Sequence, residues 1–284
     1  MFGFLNVNKP VGITSHDVIS RLRRVLKIKQ IGHAGTLDPM ASGVLPIAVS
    51  GATKLLDYLP SEKEYVADFK LGYISASYDT EVELEKYSDK VCTCGDINNI
   101  LPSFCGEIRQ KPPIYSAIKV GGKKLYEFAR AGETAEIPER TIFVSKIELL
   151  KFDEASQTGK ILVNCSKGTY IRSIIHDIGQ KLGTGAVMSG LERVLSGGMT
   201  VVNSMSLTDD ITVQDVENNL ISPEKIIPFE KIEITDAEYQ KVKNGNSITK
   251  DVQDGYKYIF YKSEIIAFAE SSEKVVKIKK VFLQ

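Results

Sequence analysis

The side chains best suited to chemistry lie in the fifteen residues from Gly32 to Pro46: one carboxylate, Asp38, and one imidazole, His33, among three glycines and two prolines. No helical or alternating apolar period fits this run, which predicts an irregular loop. Pro39 biases Asp38 away from the α region, and glycine admits backbone angles and close approaches that other residues refuse. Such a loop can aim one carboxylate in a fixed direction, beside glycine-lined space. Asp-Pro is equally an ordinary turn starter, so the run alone leaves both readings open.

Other reactive residues suggest no second chemistry. The cysteines at 92, 94, 105 and 165 make no pair of Cys-x-x-Cys units, and the three histidines at 16, 33 and 176 are scattered. No metal site is expected from that spacing.

The run reads Gly-His-x-Gly-x-Leu-Asp-Pro-x-Ala-x-Gly-x-Leu-Pro and resembles the catalytic signature of the TruB family of tRNA pseudouridine synthases. Lys9-Pro10-Val11-Gly12-Ile13-Thr14-Ser15 and Lys167-Gly168-Thr169-Tyr170-Ile171-Arg172 resemble that family's other motifs, in the right order. The resemblance covers residues 1 to about 228 well and the remainder weakly. It implies an isomerase that breaks the N1–C1′ bond of uridine, turns the base and joins C5 to C1′. That reaction needs a nucleophilic carboxylate, a pocket that retains the freed uracil and a way to extrude the base. It implies no metal and no organic cofactor.

By the resemblance, Asp38 matches the catalytic aspartate, and Arg172 the arginine that pairs with it and keeps it ionised. Tyr65 matches the tyrosine that stacks on the target base near the sugar. Tyr170 matches a second pocket tyrosine, and Leu191 an apolar contact to the uracil. His33 matches the histidine that takes up the space left by the flipped base, and Lys9 belongs to a motif that supports the pocket. Plainer readings exist for most of these. By period alone Tyr65 is a core tyrosine on an amphipathic strand, Arg172 a surface arginine at a helix start, and His33 a loop histidine with backbone partners.

The implied partner is the T arm of tRNA, with uridine 55 as the target, an RNA recognised by shape and by splayed-out loop bases. An insertion at about 106–132 resembles the family's thumb, and Lys123 and Lys124 within it are expected on phosphates, which position without specifying sequence. A non-catalytic RNA-binding protein on the same scaffold would use the same basic segments but would not need Asp38.

These residues must be positioned by flanking elements. Phe2 to Val7 predicts a short strand, and Thr14 or Ser15 caps a helix whose apolar stripe runs through Val18, Leu22, Val25 and Leu26. Val44 to Val49 predicts a buried strand. Glu62 to Tyr73 alternates, with Tyr65, Ala67, Phe69 and Leu71 on one face. Tyr78 to Lys90 is acidic and predicts a surface excursion. A helix capped by Asp96, a hairpin over Thr141–Cys165 and an amphipathic helix over Tyr170–Leu182 follow. Beyond Pro228, short strands and the Asn244-Gly245 and Asp254-Gly255 turns predict a small β-rich unit.

This order predicts an α+β domain followed by that β-rich unit, and the resemblance implies a fold of the pseudouridine-synthase type, with a mixed, mainly antiparallel sheet flanked by helices. Two domains are expected: a catalytic domain over 1–228 and a small PUA-like RNA-binding module over 229–284. The net charge of zero, with 36 basic and 36 acidic residues, argues against a uniformly basic surface. Basic residues nevertheless collect in Lys9–Gln30 and Arg109–Arg130, six in each stretch against one acid, which can make a basic face on a neutral protein. No apolar run is long enough for a membrane span, and the first residues lack a signal pattern. A cytoplasmic monomer that requires no protein partner is the resulting expectation.

Overall fold

A computed structural model describes residues 1–116, 118–134 and 136–282. Among these, ten strands form one large sheet. Its main path runs Met205–Ser206, Gly3–Lys9, Ala41–Val49, Ala186–Ser196, Lys63–Leu71, Thr158–Cys165, Arg140–Asp153 and Gly106–Gln110. Two neighbouring pairs on this path are parallel, Gly3–Lys9 with Met205–Ser206 and Ala41–Val49 with Ala186–Ser196; the remaining neighbours are antiparallel. The α+β, mainly antiparallel architecture is therefore the one expected from the sequence.

Lys63–Leu71 lies in the middle of the sheet, and its alternation is visible in burial: Tyr65, Ala67, Phe69 and Leu71 are all buried. They join a core formed with Ile171, Ile174, Ile175 and Ile178 of the helix Ile171–Leu182. The strands Gly3–Lys9 and Ala41–Val49 are instead covered on both faces. Leu5, Val7, Leu45, Ile47 and Val49 pack on the helix Ser15–Leu26 through Val18, Ile19 and Leu22. Phe4, Val44 and Ala48 point to the opposite side, into a core shared with Tyr258, Phe260, Phe268 and Phe282. Those four belong to the C-terminal part, where a five-stranded sheet is ordered Glu230–Glu233, Gly255–Tyr261, Glu264–Ser272, Val275–Val281 and Ile248–Thr249. Tyr58 seals this contact edge-on against Phe229, Tyr256 and Phe268.

Three expectations need correction. The strand after Asp38 begins at Ala41, not Val44. Ala41, Ser42 and Gly43 are held in parallel register by Leu191, Glu192 and Arg193, and this long-range pairing outweighs the local glycine signal. Pro46 also lies within the strand; it has no N–H to donate, but its carbonyl accepts from Ala34 N at 2.9 Å. The helix Cys94–Ile100 is capped by Thr93, with Asp96 at the third position returning the bond to the cap N–H. Finally, Tyr78–Lys90 is not wholly a surface excursion, because Asp79 is buried.

Candidate active site

Asp38 is held through its neighbours. The Ser15 hydroxyl accepts from Leu37 N at 2.9 Å and donates to Leu37 O at 3.3 Å. On the other side, the Pro39 carbonyl accepts from Gly12 N at 2.8 Å and from Lys9 Nζ at 3.4 Å. Ala41 N closes a turn onto Asp38 O at 3.0 Å. The Lys9–Ser15 motif thus clamps the backbone before and after the carboxylate. Lys9 is fully buried and also donates to Pro10 O and Ile13 O. Burial lowers its amine to about 8, against the pull of Asp38, which favours the charged form.

The carboxylate meets Arg172, whose Nη2 lies 2.9 Å from Asp38 Oδ2. Arg172 is the second residue of its helix, and the start of that helix is fixed by Gln110. The Gln110 amide accepts from Tyr170 N at 2.8 Å and donates to Tyr170 O at 2.9 Å. The guanidinium also donates to Ser77 O, to Tyr115 O and to Asp79 Oδ2, the last at 3.3 Å. Asp79 accepts in addition from the Ser77 hydroxyl and from Glu81 N, so this buried carboxylate is fully occupied.

A cleft of about 270 Å³ opens above the pair, lined by Asp38, Tyr65, Tyr170, Arg172 and Leu191 together with Lys63 and Ser116. Its size suits one small ring system rather than a drug-sized ligand. Tyr65 is buried, and burial raises its phenol above the ordinary value, with Arg193 opposing. The Arg140 guanidinium lies over the Tyr170 ring, 5.7 Å from its centroid. A larger cavity, of about 530 Å³, is bounded by Phe2, Phe260 and Phe282 and includes none of the predicted site residues.

Five predicted residues, Asp38, Arg172, Tyr65, Tyr170 and Leu191, therefore converge on one cleft from loop, strands and helix. Lys9 stands under the loop rather than in the cleft. His33 lines an adjacent cavity with Lys63 and Lys167; burial lowers its pKa, and the nearby Arg193 adds to this. Lys123 and Lys124 sit apart, on a hairpin that turns at Gly121-Gly122. There Lys123 pairs with Glu133 at 2.7 Å, and Lys124 Nζ donates to the Tyr126 hydroxyl at 3.3 Å. The hairpin is tied to the cleft where Tyr126 N donates to Ser116 O.

Sequence reasoning missed Asp79, Gln110, Lys63 and Arg193. For Arg193 a signal existed: it follows Leu191 by two residues on one strand, and it faces Tyr65 in antiparallel register. It is fully buried, donating through Nε to Val44 O at 2.7 Å and through Nη2 to Gly35 O at 3.0 Å. No local signal marks Asp79.

Residues 23–171 match the N-terminal domain of the TruB family pseudouridylate synthases. The chain is 43% identical over 291 residues to a tRNA pseudouridine synthase B from Carboxydothermus hydrogenoformans, covering 99% of each protein. The chain belongs to the TruB family. A second relative, tRNA pseudouridine synthase B of Clostridium tetani, is 41% identical over 293 residues, with 100% of both chains covered. Among solved structures, a chain of a Cbf5–Nop10–Gar1 complex superposes with a TM-score of 0.71 at 28% identity, covering 99% of this chain and 85% of that one. A chain from an H/ACA RNP bound to a substrate RNA containing 2′-deoxyuridine gives 0.70 at 27% identity, covering 100% and 86%. This TruB-family chain is thus a pseudouridine synthase, and its mixed sheet with a C-terminal β unit is the architecture of those neighbours. Among its described residues no helix is long and apolar enough to cross a membrane.

Proposed function

We propose that the enzyme converts uridine 55 in the T loop of tRNA to pseudouridine, with Asp38 as the nucleophile and the target nucleotide flipped into the cleft. The observation that carries this reading is the Arg172–Asp38 ion pair at the floor of a cleft walled by Tyr65, Tyr170 and Leu191. The carboxylate is 35% exposed while its arginine is 7% exposed, so an incoming base meets more of the anion than of its counter-ion. The relatives named tRNA pseudouridine synthase B support tRNA as the substrate class.

In the reaction, the carboxylate of Asp38 donates an electron pair to form a transient bond to the substrate, a bond that breaks again as the product forms and returns the pair to Asp38. The N1–C1′ bond breaks, its pair leaving with uracil, and uracil turns within the cleft. C5 then bonds to C1′, the C5 proton leaves, and N1 takes up a proton, so nothing is oxidised and no co-reactant is consumed. Tyr65 stacks on the base, a contact worth ~1–3 kcal/mol, and its raised phenol stays protonated at neutral pH. Tyr170 and Leu191 hold the uracil while it is free. His33, in the next cavity, fills the vacated stack, and Lys9 supports the loop.

Residues 1–228 act as the catalytic domain, with a thumb at about 106–132 whose Lys123 and Lys124 contact phosphates of the T arm. Residues 229–284 act as a PUA-like RNA-binding module. The enzyme works as a cytoplasmic monomer. Its four cysteines are free, which suits a reducing compartment.

The test is tritium release from C5-labelled uridine in a T-arm stem–loop. The wild type is expected to release tritium and Asp38→Asn to release none, while binding of the RNA persists. Equal release by the two proteins would remove Asp38 from the reaction.

A further inference from the structure

The cleft has an electropositive shoulder that the rearrangement does not use. Lys63 precedes Tyr65 by two residues, so its side chain leaves the same face of the sheet. It lines the Asp38 cleft and also the adjoining cavity bounded by His33, Gly35, Pro60 and Lys167. Lys63 therefore stands on the ridge between the two. Its amine and the Arg193 guanidinium meet at one point: a Cβ added to Gly35 would lie 2.9 Å from Lys63 Nζ and 3.4 Å from Arg193 Nη1. Arg193 Nη1 is buried without a hydrogen-bond partner. Lys167 is close enough to add to the positive field on Lys63.

Among the described residues, no carboxylate pairs with Lys63, Arg193 or Lys167, not even Asp57, which lines the second cavity. Cations gathered without a counter-charge are costly to hold, and burial with its cationic neighbours lowers the Lys63 amine to about 8. An arriving anion relieves that cost.

We propose that Lys63, backed by Arg193 and flanked by Lys167, is the subsite for the RNA backbone phosphate next to the target nucleotide. The inference rests on the reading of the Asp38 cleft as the uridine site. A strand leaving that cleft toward the second cavity carries its first phosphate past Lys63. An ammonium suits this task as a point charge with three rotatable donors. The contact positions the nucleotide and reads no sequence.

The test uses T-arm stem–loops with a single neutral methylphosphonate linkage, placed either 5′ or 3′ of the target uridine. At one of the two positions, the modification is expected to slow single-turnover conversion by the wild type about tenfold. Lys63→Gln with unmodified RNA is expected to lose a similar factor, and the two changes together to cost no more than either alone. Lys63→Arg, which keeps the cation, should retain most of the activity, and Lys63→Met replaces Lys63→Gln in the comparison if the latter melts at a lower temperature than the wild type. Losses that multiply at both positions, or wild-type indifference at both, would overturn the subsite. Neither result touches the cleft reading, which fails only if Asp38→Asn converts unmodified RNA as the wild type does.

Discussion

Asp79 shares Arg172 with Asp38: its Oδ2 lies 3.3 Å from Nη1, while Asp38 Oδ2 lies 2.9 Å from Nη2. It is 1% exposed, and its other donors, Ser77 and Glu81 N, come from its own turn. The arginine is thus bonded to two carboxylates, one enclosed and one open to the cleft. The enclosed one is an anchor that aims the guanidinium.

Removing the arginine leaves the anchor charged and unpaired. Arg172→Ala is expected to lower stability by ~3 kcal/mol, the usual cost of breaking one side of a buried pair. Adding Asp79→Asn should recover part of that loss, because the orphaned charge goes with it. Denaturant unfolding of the two single variants and the double variant checks this; strict additivity would mean that the two side chains are not coupled. Asp79→Asn alone should lower kcat more than it raises KM.

A second expectation concerns pH. Burial raises the carboxyl of Asp177 from 3.8 to about 6. Between those values the folded protein holds a proton that the unfolded chain releases. The contribution of this group to stability is therefore full below pH 3.8 and lost as pH rises through about 6. At pH 8 the ionised group is a burden. Asp177→Asn should then raise stability by about 1 kcal/mol, allowing for partial exposure, and the gain should vanish near pH 4. Thermal melts of both proteins at the two pH values decide it.

Gly43 offers a steric test. Its φ is +103°, and an added Cβ would lie 2.3 Å from the Arg193 carbonyl oxygen. Neither the backbone angle nor the neighbouring strand can relax without loosening the parallel pairing that starts the strand after Asp38. Gly43→Ala should cost ~2–4 kcal/mol, from strain and overpacking together. A melt within a degree of the wild type would refute this.

The thumb gives a fourth. Lys123 already pairs with Glu133, so an RNA phosphate must replace that partner. Replacing Lys123 and Lys124 by Ala should weaken stem–loop binding and flatten the slope of log K against log salt by ~1.5–2. A second variant, Glu133→Gln, should strengthen binding slightly by freeing Lys123. An unchanged slope in the double alanine variant would mean that these lysines face solvent in the complex.

Local rules acted on local evidence and served well there. The alternation of Tyr65, Ala67, Phe69 and Leu71 announced a half-buried strand, and Thr14 or Ser15 announced a helix start, with Thr14 the cap in the structure. The resemblance carried by Gly32–Pro46 and its two companion motifs singled out Asp38, Arg172 and Tyr65, whereas the spacing alone left Asp38 open as a turn residue. Tertiary structure alone decided that Asp38, Tyr65, Tyr170, Arg172 and Leu191 share one cleft. It also decided that Ala41–Gly43 is strand, that Asp79 is enclosed, and that Arg193 lies beneath the loop with no carboxylate partner among the described residues. The reason is physical. Period and capping are set by neighbours within a turn or two, whereas burial of Asp79 depends on Arg172, 93 residues away, and the pairing of Gly43 on Arg193. The loop from Gly32 to Pro46 carries the reactive group, but its direction is set by Ser15, Lys9, Gly12 and Arg193, which only folding brings to it.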